Sequence, residues 1–109
     1  MTVIKIKRKA GKIVAVDCEG HSGYGVENTD ILCAAISSVT QTALLGLLQV
    51  AGIPVKYKIR DKDAKLSMSL PEVLEPQDRL NADMILETMM CGLRDLYESY
   101  SDFIEIEES

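Results

Sequence analysis

Hydrophobic and polar residues alternate in two short runs at the start of the chain. Residues 2–8 alternate apolar with basic side chains, and residues 13–19 place Val14, Val16 and Cys18 on one face. Alternation with a period of two is typical of a strand with one buried face. Because only a short, glycine-containing connection separates the two runs, they predict a β-hairpin.

A long apolar segment follows a glycine-rich loop and predicts a central helix. From Asp30 to Ala51 the chain contains no charged residue after Asp30 itself. Thr29 or Asp30 is expected to cap the helix start, because either side chain can accept a hydrogen bond from a free backbone amide. Gly52, with a proline two residues further on, marks the helix end. Since most of its circumference is apolar, we expect this helix to be buried against a sheet and another helix.

The second half of the chain contains two more alternating runs and an amphipathic helix. Residues 55–60 and 65–70 each predict a strand. Apolar residues at spacings of three and four predict a helix from about Gln77 to Tyr97, with Tyr97 and Tyr100 on its apolar stripe. Residues 103–107 indicate a short last strand or an acidic tail. The order ββαββαβ predicts a two-layer α+β sandwich, in which both helices lie on a mostly antiparallel sheet.

Length and composition are those of a single domain spanning residues 1–109. Hydrophobic residues make up 47% and charged residues 27%, which is the balance of a soluble globular protein. With no tryptophan and one phenylalanine, the core is expected to be aliphatic. The formal net charge of −5 argues against a protein held to nucleic acid over its whole surface, because that role favours a basic domain.

Charge is divided unevenly along the chain. Residues 1–65 contain 10 Lys/Arg and 6 Asp/Glu, whereas residues 66–109 contain 2 and 11. Either the acidic residues form solvent-exposed faces of a helix and a tail, or they attract a basic partner. The pattern alone leaves both interpretations open.

The chain is predicted to be cytoplasmic and free of membrane spans. It has three cysteines, an odd number, and its first residues lack the charged start and apolar run of an export signal. The longest apolar stretch, Ala43–Leu48, is far shorter than the roughly 20 residues that a membrane helix requires. Cys18 and Cys91 are expected to be packing residues, since each lies beside apolar positions.

Cys33 is the thiol that the sequence singles out for chemistry. It lies three or four residues after the predicted cap, where free amides and the helix dipole stabilise a thiolate relative to a thiol. The preceding loop, residues 20–29, carries His21, the one histidine of the chain. If the loop folds back over the helix start, the imidazole comes within hydrogen-bonding reach of the sulfur, as a thiolate–imidazolium pair requires. The alternative is a cysteine that merely packs near the start of a helix.

Residues around this pair have possible supporting roles. Asp30 either stabilises the helix start or orients His21, and Ser37, one turn after Cys33, either bonds a helical carbonyl or brings a hydroxyl near the thiol. Amides of the loop and helix start can form an oxyanion hole. The glycines from Gly20 onward lack the spacing of a dinucleotide-binding loop. No pattern of metal ligands is present in the sequence, so we expect neither a cofactor nor a metal.

Two segments of the chain resemble the signature of Prp, the ribosomal-processing cysteine protease family of Firmicutes and related bacteria. They are Gly20-His21-Ser22-Gly23-Tyr24 and Asp30-Ile31-Leu32-Cys33-Ala34-Ala35-Ile36-Ser37. The family pattern runs roughly G-H-A/S-G-Y, a variable stretch, and G-x-D-I-V-C-A-A-x-S. The histidine-to-cysteine interval, the chain length and the order of elements also agree. Asn28 stands where the family usually has glycine, and Leu32 where valine is common.

The resemblance implies a cysteine endopeptidase with Cys33 as nucleophile and His21 as general base. It implies supporting positions at Asp30 and Ser37, and a loop whose shape requires Gly20. The implied substrate is the N-terminal extension of a large-subunit ribosomal protein, number twenty-seven, cleaved after a phenylalanine in an apolar motif during ribosome assembly. The resemblance further implies a homodimer that needs no direct contact with nucleic acid.

Two other classes of function are compatible with the sequence. The first is a non-enzymatic module that binds ribosomal protein or RNA through the basic hairpin, although no aromatic stacking platform accompanies it. The second is a thiol redox sensor, for which neither Cys18 nor Cys91 is an obvious resolving partner for Cys33. A protease loses cleavage when Cys33 is replaced with serine, whereas a binding module keeps its activity.

Overall fold

In the part of the chain that the structure describes, five strands form one sheet, and two helices pack on one of its faces. The computed structural model describes residues 1–20, 27–60 and 65–109, with the backbone alone for residues 27–30. Its elements are β1 (Thr2–Lys9), β2 (Lys12–Gly20), α1 (Glu27–Leu45) with a terminal π-helical turn (Gly46–Val50), β3 (Lys56–Arg60), β4 (Lys65–Ser69), α2 (Pro76–Ser99) and β5 (Ile104–Glu108). The predicted order ββαββαβ and the two-layer α+β sandwich are confirmed.

The sheet is mixed, with the strand order β3-β4-β2-β1-β5. The pairs β1–β2, β2–β4 and β3–β4 are antiparallel, and β5 lies parallel to β1. The prediction of a mostly antiparallel sheet is therefore confirmed. The last segment is a strand rather than a tail, because Ile104 is buried beside β1.

The predicted hairpin is present, and its turn explains the residues found there. Ala10 and Gly11 both have positive φ, 54° and 79°, as a two-residue turn that matches strand twist requires. The pairing shifts after Lys7, so that Arg8 lies opposite Ile13 and Val14 is skipped. This bulge explains why Ile13 is buried while Val14 is only half-buried.

The core lies between the sheet and the helices and is aliphatic, as predicted. Alternate strand residues meet apolar residues of both helices, and the best-buried side chains include Ile4, Ile6, Val16, Leu47, Leu86, Met90 and Leu93. The chain's one phenylalanine, Phe103, is 38% exposed and takes no part in it. Burial of branched aliphatic side chains in one cluster fixes α1 over the sheet.

The central helix is longer at its start than predicted. It begins at Glu27, so Thr29 and Asp30 lie inside its first turn and the prediction that either residue caps it is wrong. The polar residues Glu27 and Asn28 resembled loop sequence but continue the helix. Its end is as predicted, since Gly52 has a φ of 67°, which favours glycine.

Helix α1 and its terminal turn are more hydrophobic over their length than the longest uninterrupted apolar stretch indicates. Ile31–Val50 is long and apolar enough to cross a membrane by length and composition. Counting uninterrupted apolar residues missed it, because small polar residues interrupt the run. In the structure Leu32, Ile36, Leu44 and Leu47 are buried in the core, and a core helix of a soluble protein commonly has such a composition.

The second helix presents a narrower apolar stripe than predicted. Met90 and Leu93 are fully buried, but Tyr97 and Tyr100 are 42% and 38% exposed. Cys91 is exposed as well, so its predicted packing role is wrong. One residue advances about 100° around a helix, which turns Cys91 away from the face that buries Met90.

Ion pairs fix α2 to the hairpin at the end of β1 that is remote from Thr2. Arg8 donates hydrogen bonds to Glu87 of α2 and to Glu108 of β5, with the shorter contact 2.8 Å long. The hydrogen bond from Arg8 lowers the pKa of Glu87 and outweighs the opposing effect of burial. Lys12 pairs in the same way with Asp83 at 2.9 Å. Ion pairs therefore stabilise this end of the molecule, and the candidate site lies at the other end.

Candidate active site

Helix α1 places Cys33 over the first residue of β1. The Oγ1 atom of Thr2 lies 3.5 Å from the Sγ atom of Cys33, and either atom can be the donor. Thr2 is 3% exposed and pairs with Gly20 across the hairpin. The sulfur therefore lies beside the point where β2 ends and the glycine-rich loop begins.

A small open cleft, with a volume of about 90 Å³, borders this sulfur. Its walls come from α1 on one side and from β1, β2, β3 and β4 on the other. The lining residues are Thr2, Cys18, Gly20, Cys33, Ile36, Ser37, Thr40, Gln41, Ile59, Arg60, Lys65 and Leu66. Apolar side chains beside a thiol and hydroxyls suit a ligand that offers an apolar group next to a polar, reactive one.

Three of the predicted site residues meet at this cleft. Cys33, Ser37 and Gly20 all line it, which confirms that Ser37 shares the helix face of Cys33. His21 lies outside the described residues, as does the side chain of Asp30, whose backbone belongs to α1. The roles predicted for His21 and Asp30 stay predictions.

The position of Cys33 within α1 differs from the one predicted. Because the helix begins at Glu27, Cys33 is its seventh residue and belongs to the second turn. At a rise of 1.5 Å per residue, it lies roughly 9 Å along the axis from the helix start. The dipole effect falls off within the first turn, so thiolate stabilisation must come mainly from groups that contact the sulfur.

Thr2 is the site residue that the sequence analysis missed. The sequence does contain a sign of its position. Thr2 falls in the same alternating row as Ile4 and Ile6, so its side chain lies on the buried face of β1. A polar residue in a buried row of a strand needs a hydrogen-bond partner. The partner, Cys33, is 31 residues away in sequence and is brought there by helix packing alone.

The other two thiols are not alternatives to Cys33. Cys18 also lines the cleft, but it is only 4% exposed, and its burial, with a contribution from Asp17, raises the pKa of its thiol to about 12. The thiolate is the nucleophilic form, so Cys18 stays inert at neutral pH. Cys91 is exposed on α2 and is not among the residues that line this cleft.

We expect Thr2→Val to slow the chemistry of Cys33 without unfolding the protein. Valine has nearly the same shape but cannot donate to the sulfur, and a hydrogen bond to a charged group contributes about 1.5–3 kcal/mol. Alkylation of Cys33 by iodoacetamide at pH 7 should fall by about tenfold or more. Thr2→Ser should restore the wild-type rate of alkylation. An unchanged rate in Thr2→Val, with an unchanged thermal melt, would show that Thr2 only fills space.

A half-buried thiol that lines an open cleft and contacts a hydroxyl is compatible with a thiol-dependent hydrolase, whose nucleophile must be open to substrate. The chain belongs to the family described as cysteine protease Prp, whose family model matches residues 1–105. It is therefore a cysteine-type peptidase, and the non-enzymatic module and the redox sensor are set aside.

Several known proteins are similar to this chain. The ribosomal processing cysteine protease Prp of Bacillus subtilis is 24% identical over 102 residues, which cover 93% of this chain and 91% of that protein. The crystal structure of the S. aureus ribosomal processing protease Prp with a substrate peptide matches with a TM-score of 0.87 and 21% identity, over the full length of both chains. The same enzyme with a covalently linked product peptide gives 0.84 and 22%, again over the full length of both chains.

Proposed function

We propose that this peptidase removes the N-terminal extension of large-subunit ribosomal protein number twenty-seven, cutting after a phenylalanine in an apolar motif. Two facts support the choice of substrate. The Bacillus subtilis relative is a ribosomal processing protease, and the S. aureus enzyme has been seen with a substrate peptide and with a covalently linked product peptide. The observation that carries the proposed reaction is the contact of the Cys33 thiol with Thr2, since both residues line the same open cleft.

The proposed reaction is acyl transfer through a thioester. The Cys33 thiolate attacks the scissile carbonyl carbon, and backbone amides stabilise the resulting oxyanion. His21, protonated in the ion pair, gives its proton to the leaving amine as the carbon–nitrogen bond breaks. Water, deprotonated by His21, then attacks the thioester, so that the acid product leaves and the thiolate–imidazolium pair is restored.

Three further residues have supporting roles in the proposed reaction. Gly20 ends β2 opposite Thr2 and is buried, and it is proposed to give the loop that carries His21 its shape. Ser37 lines the cleft one helical turn beyond Cys33 and can contact the peptide there. Asp30 lies in the first turn of α1, where a carboxylate stabilises the helix start, and it is also proposed to orient His21.

The cleft offers an apolar surface for the phenylalanine of the proposed motif. Ile36 from α1, Ile59 from β3 and Leu66 from β4 all line it. An aromatic side chain that leaves water for such a surface gains roughly 1.5–3 kcal/mol. The new carboxyl end of the N-terminal fragment then lies at the Cys33 sulfur, where Thr2 and His21 act.

The proposal includes a cytoplasmic homodimer formed by a single peptidase domain of residues 1–109. Exposed apolar side chains of the helical layer support a dimer. Among them are Leu45, Leu80 and Met84, which are 50%, 56% and 73% exposed. Leu80 and Met84 are four residues apart and share one face of α2, and exposed apolar patches mark interaction surfaces. A monomeric mass in sedimentation velocity at micromolar concentration would contradict the dimer.

The substrate is tested by incubating the enzyme with the full-length ribosomal protein of the same organism. We expect mass spectrometry to find one cut, after the phenylalanine of the extension, and none in the rest of the protein. Replacing that phenylalanine with alanine should lower kcat/KM by about tenfold to several hundredfold, because the apolar contact is lost. An intact protein after long incubation with active enzyme would refute this substrate.

A further inference from the structure

Strand β3 forms one edge of the sheet and borders the candidate site. It pairs with β4 on one side, and within the described part of the chain no strand lies on its other side. All of its residues, Lys56–Arg60, are exposed. An open strand edge next to a peptidase cleft is a possible template for an extended peptide.

The hydrogen-bond pattern of the sheet shows which backbone groups face this open edge. The amide of Leu70 donates to the carbonyl of Val14, so Leu66, Met68 and Leu70 direct their backbone groups toward β2, following the alternation of an antiparallel ladder. The intervening residues of β4 therefore bond to β3. Since those residues pair with Lys56, Lys58 and Arg60, the backbone groups that face outward belong to Tyr57 and Ile59.

The same two residues direct their side chains to the face that carries the cleft. Tyr57 pairs with Met68 and Ile59 with Leu66, and both partners are buried under the helices. Tyr57 and Ile59 nevertheless remain 53% and 38% exposed, and Ile59 lines the cleft that contains Cys33. Outward backbone groups and exposed apolar side chains thus coincide at Tyr57 and Ile59.

We propose that β3 binds the substrate as an added strand, with the backbone of Tyr57 and Ile59 exchanging hydrogen bonds with the peptide. The inference rests on the proposed function and goes beyond it by assigning the peptide's path. The occupant is an extended peptide whose alternate side chains are apolar, because every second side chain then lies on the cleft face next to Tyr57, Ile59 and Leu66. The intervening side chains face the side of Lys56 and Lys58.

Continuity with the reacting centre favours a peptide over a second copy of the chain. Ile59 and Cys33 line one cleft, which joins the edge strand to the site. Cys33 contacts Thr2 of β1, three strands from β3, so at about 4.8 Å per strand an added strand lies roughly 19 Å from β1. The peptide therefore reaches the sulfur with the residues that follow the paired segment. Main-chain pairing also explains how a shallow, open cleft can align a flexible peptide. Affinity comes from the shared ladder, and specificity comes from the side chains that enter the cleft.

The first test is an N-methyl scan of a synthetic peptide that spans the proposed cleavage motif, with binding to the Cys33→Ser protein measured by fluorescence anisotropy. Methylation removes one amide donor at a time. We expect a period of two, in which methylation of amides facing β3 weakens binding by about tenfold or more while methylation of the intervening amides has little effect. Uniform effects, or no effect at any position, would overturn the proposal.

The second test changes the strand instead of the peptide. Proline at position 59 removes the outward-facing amide and leaves the ladder to β4 intact, a place where edge strands tolerate proline. We expect Ile59→Pro to raise KM for the peptide by about tenfold more than Ile59→Ala, which removes the side chain and keeps the amide. Equal KM values in two variants with matching thermal melts would overturn the proposal.

The two proposals fail in different ways. If the wild-type enzyme does not cut the peptide or the ribosomal protein, the proposed function is wrong. If it cuts both, but the N-methyl scan has no period of two and Ile59→Pro behaves as Ile59→Ala, only the peptide's path is wrong. If Ile59→Pro instead dissociates the protein in sedimentation velocity, the edge pairs with a second copy and the proposal is likewise overturned.

Discussion

Replacement of Cys33 with alanine is expected to lower kcat for peptide cleavage by a thousandfold or more, the largest effect of any single change. In the proposed mechanism the sulfur forms the covalent bond to the acyl group, and removal of such a nucleophile typically costs about 10³–10⁶ in rate. The variant should fold normally, because Cys33 is only half-buried and its side chain is small. We also expect Cys33→Ser to bind the peptide with nearly wild-type affinity.

A matched control is available in the same chain. Cys91 is exposed on α2, and it is not among the residues lining the Cys33 cleft, so Cys91→Ala should cleave at the wild-type rate. Kinetics with a fluorogenic peptide, combined with thermal melts of both variants, separate loss of chemistry from loss of structure. Cleavage by a folded Cys33→Ala protein at more than a few per cent of the wild-type rate would exclude Cys33 as nucleophile.

Replacement of His21 with alanine is expected to have the second-largest effect, a loss of about 10²–10⁴ in kcat/KM. Its imidazole is the proposed donor of the proton to the leaving amine. The position of Cys33 in the second turn of α1 strengthens this expectation, because the helix start is too far away to replace an imidazolium as the partner of the thiolate. Added imidazole should partly restore cleavage by the His21→Gly variant.

The neighbouring Ser22→Ala variant provides the control for the His21 experiment. The family pattern that the chain resembles has alanine or serine at this position, so the change alters the same loop without touching the proposed chemistry. We expect its kcat/KM to stay within about twofold of wild type. Similar large losses in His21→Ala and Ser22→Ala would indicate that the loop acts through its shape and that His21 has no special part in proton transfer.

Much of the fold could be predicted because alternation and helical spacing are local signals. The hairpin, β4 and the buried stripe of α2 through Leu93 follow directly from residues two, three or four positions apart. The errors lie where a local pattern ends. Glu27 and Asn28 are polar and resembled a loop, although they continue α1, and Tyr97 and Tyr100 fit the apolar stripe beyond the point where the core covers it.

The candidate site could be predicted only in part, for a different physical reason. Cys33 and Ser37 share a helix face by spacing alone, so their common position at the cleft was available from the sequence. The contact between Thr2 and Cys33 depends on how α1 packs on β1, and the exposure of Ile59 depends on β3 being an edge strand. Both arise from pairing between distant segments, which no short pattern encodes.

Capture of the covalent intermediate tests whether Cys33 carries the acyl group during cleavage. The enzyme is mixed with its peptide, quenched in acid within milliseconds to seconds, and digested for mass spectrometry with Cys18 and Cys91 as internal controls. We expect the N-terminal fragment of the peptide, less one water, to be attached to Cys33 while the other two thiols are unmodified. An adduct on Cys18 or Cys91, or turnover with no protein adduct at any time, would contradict it.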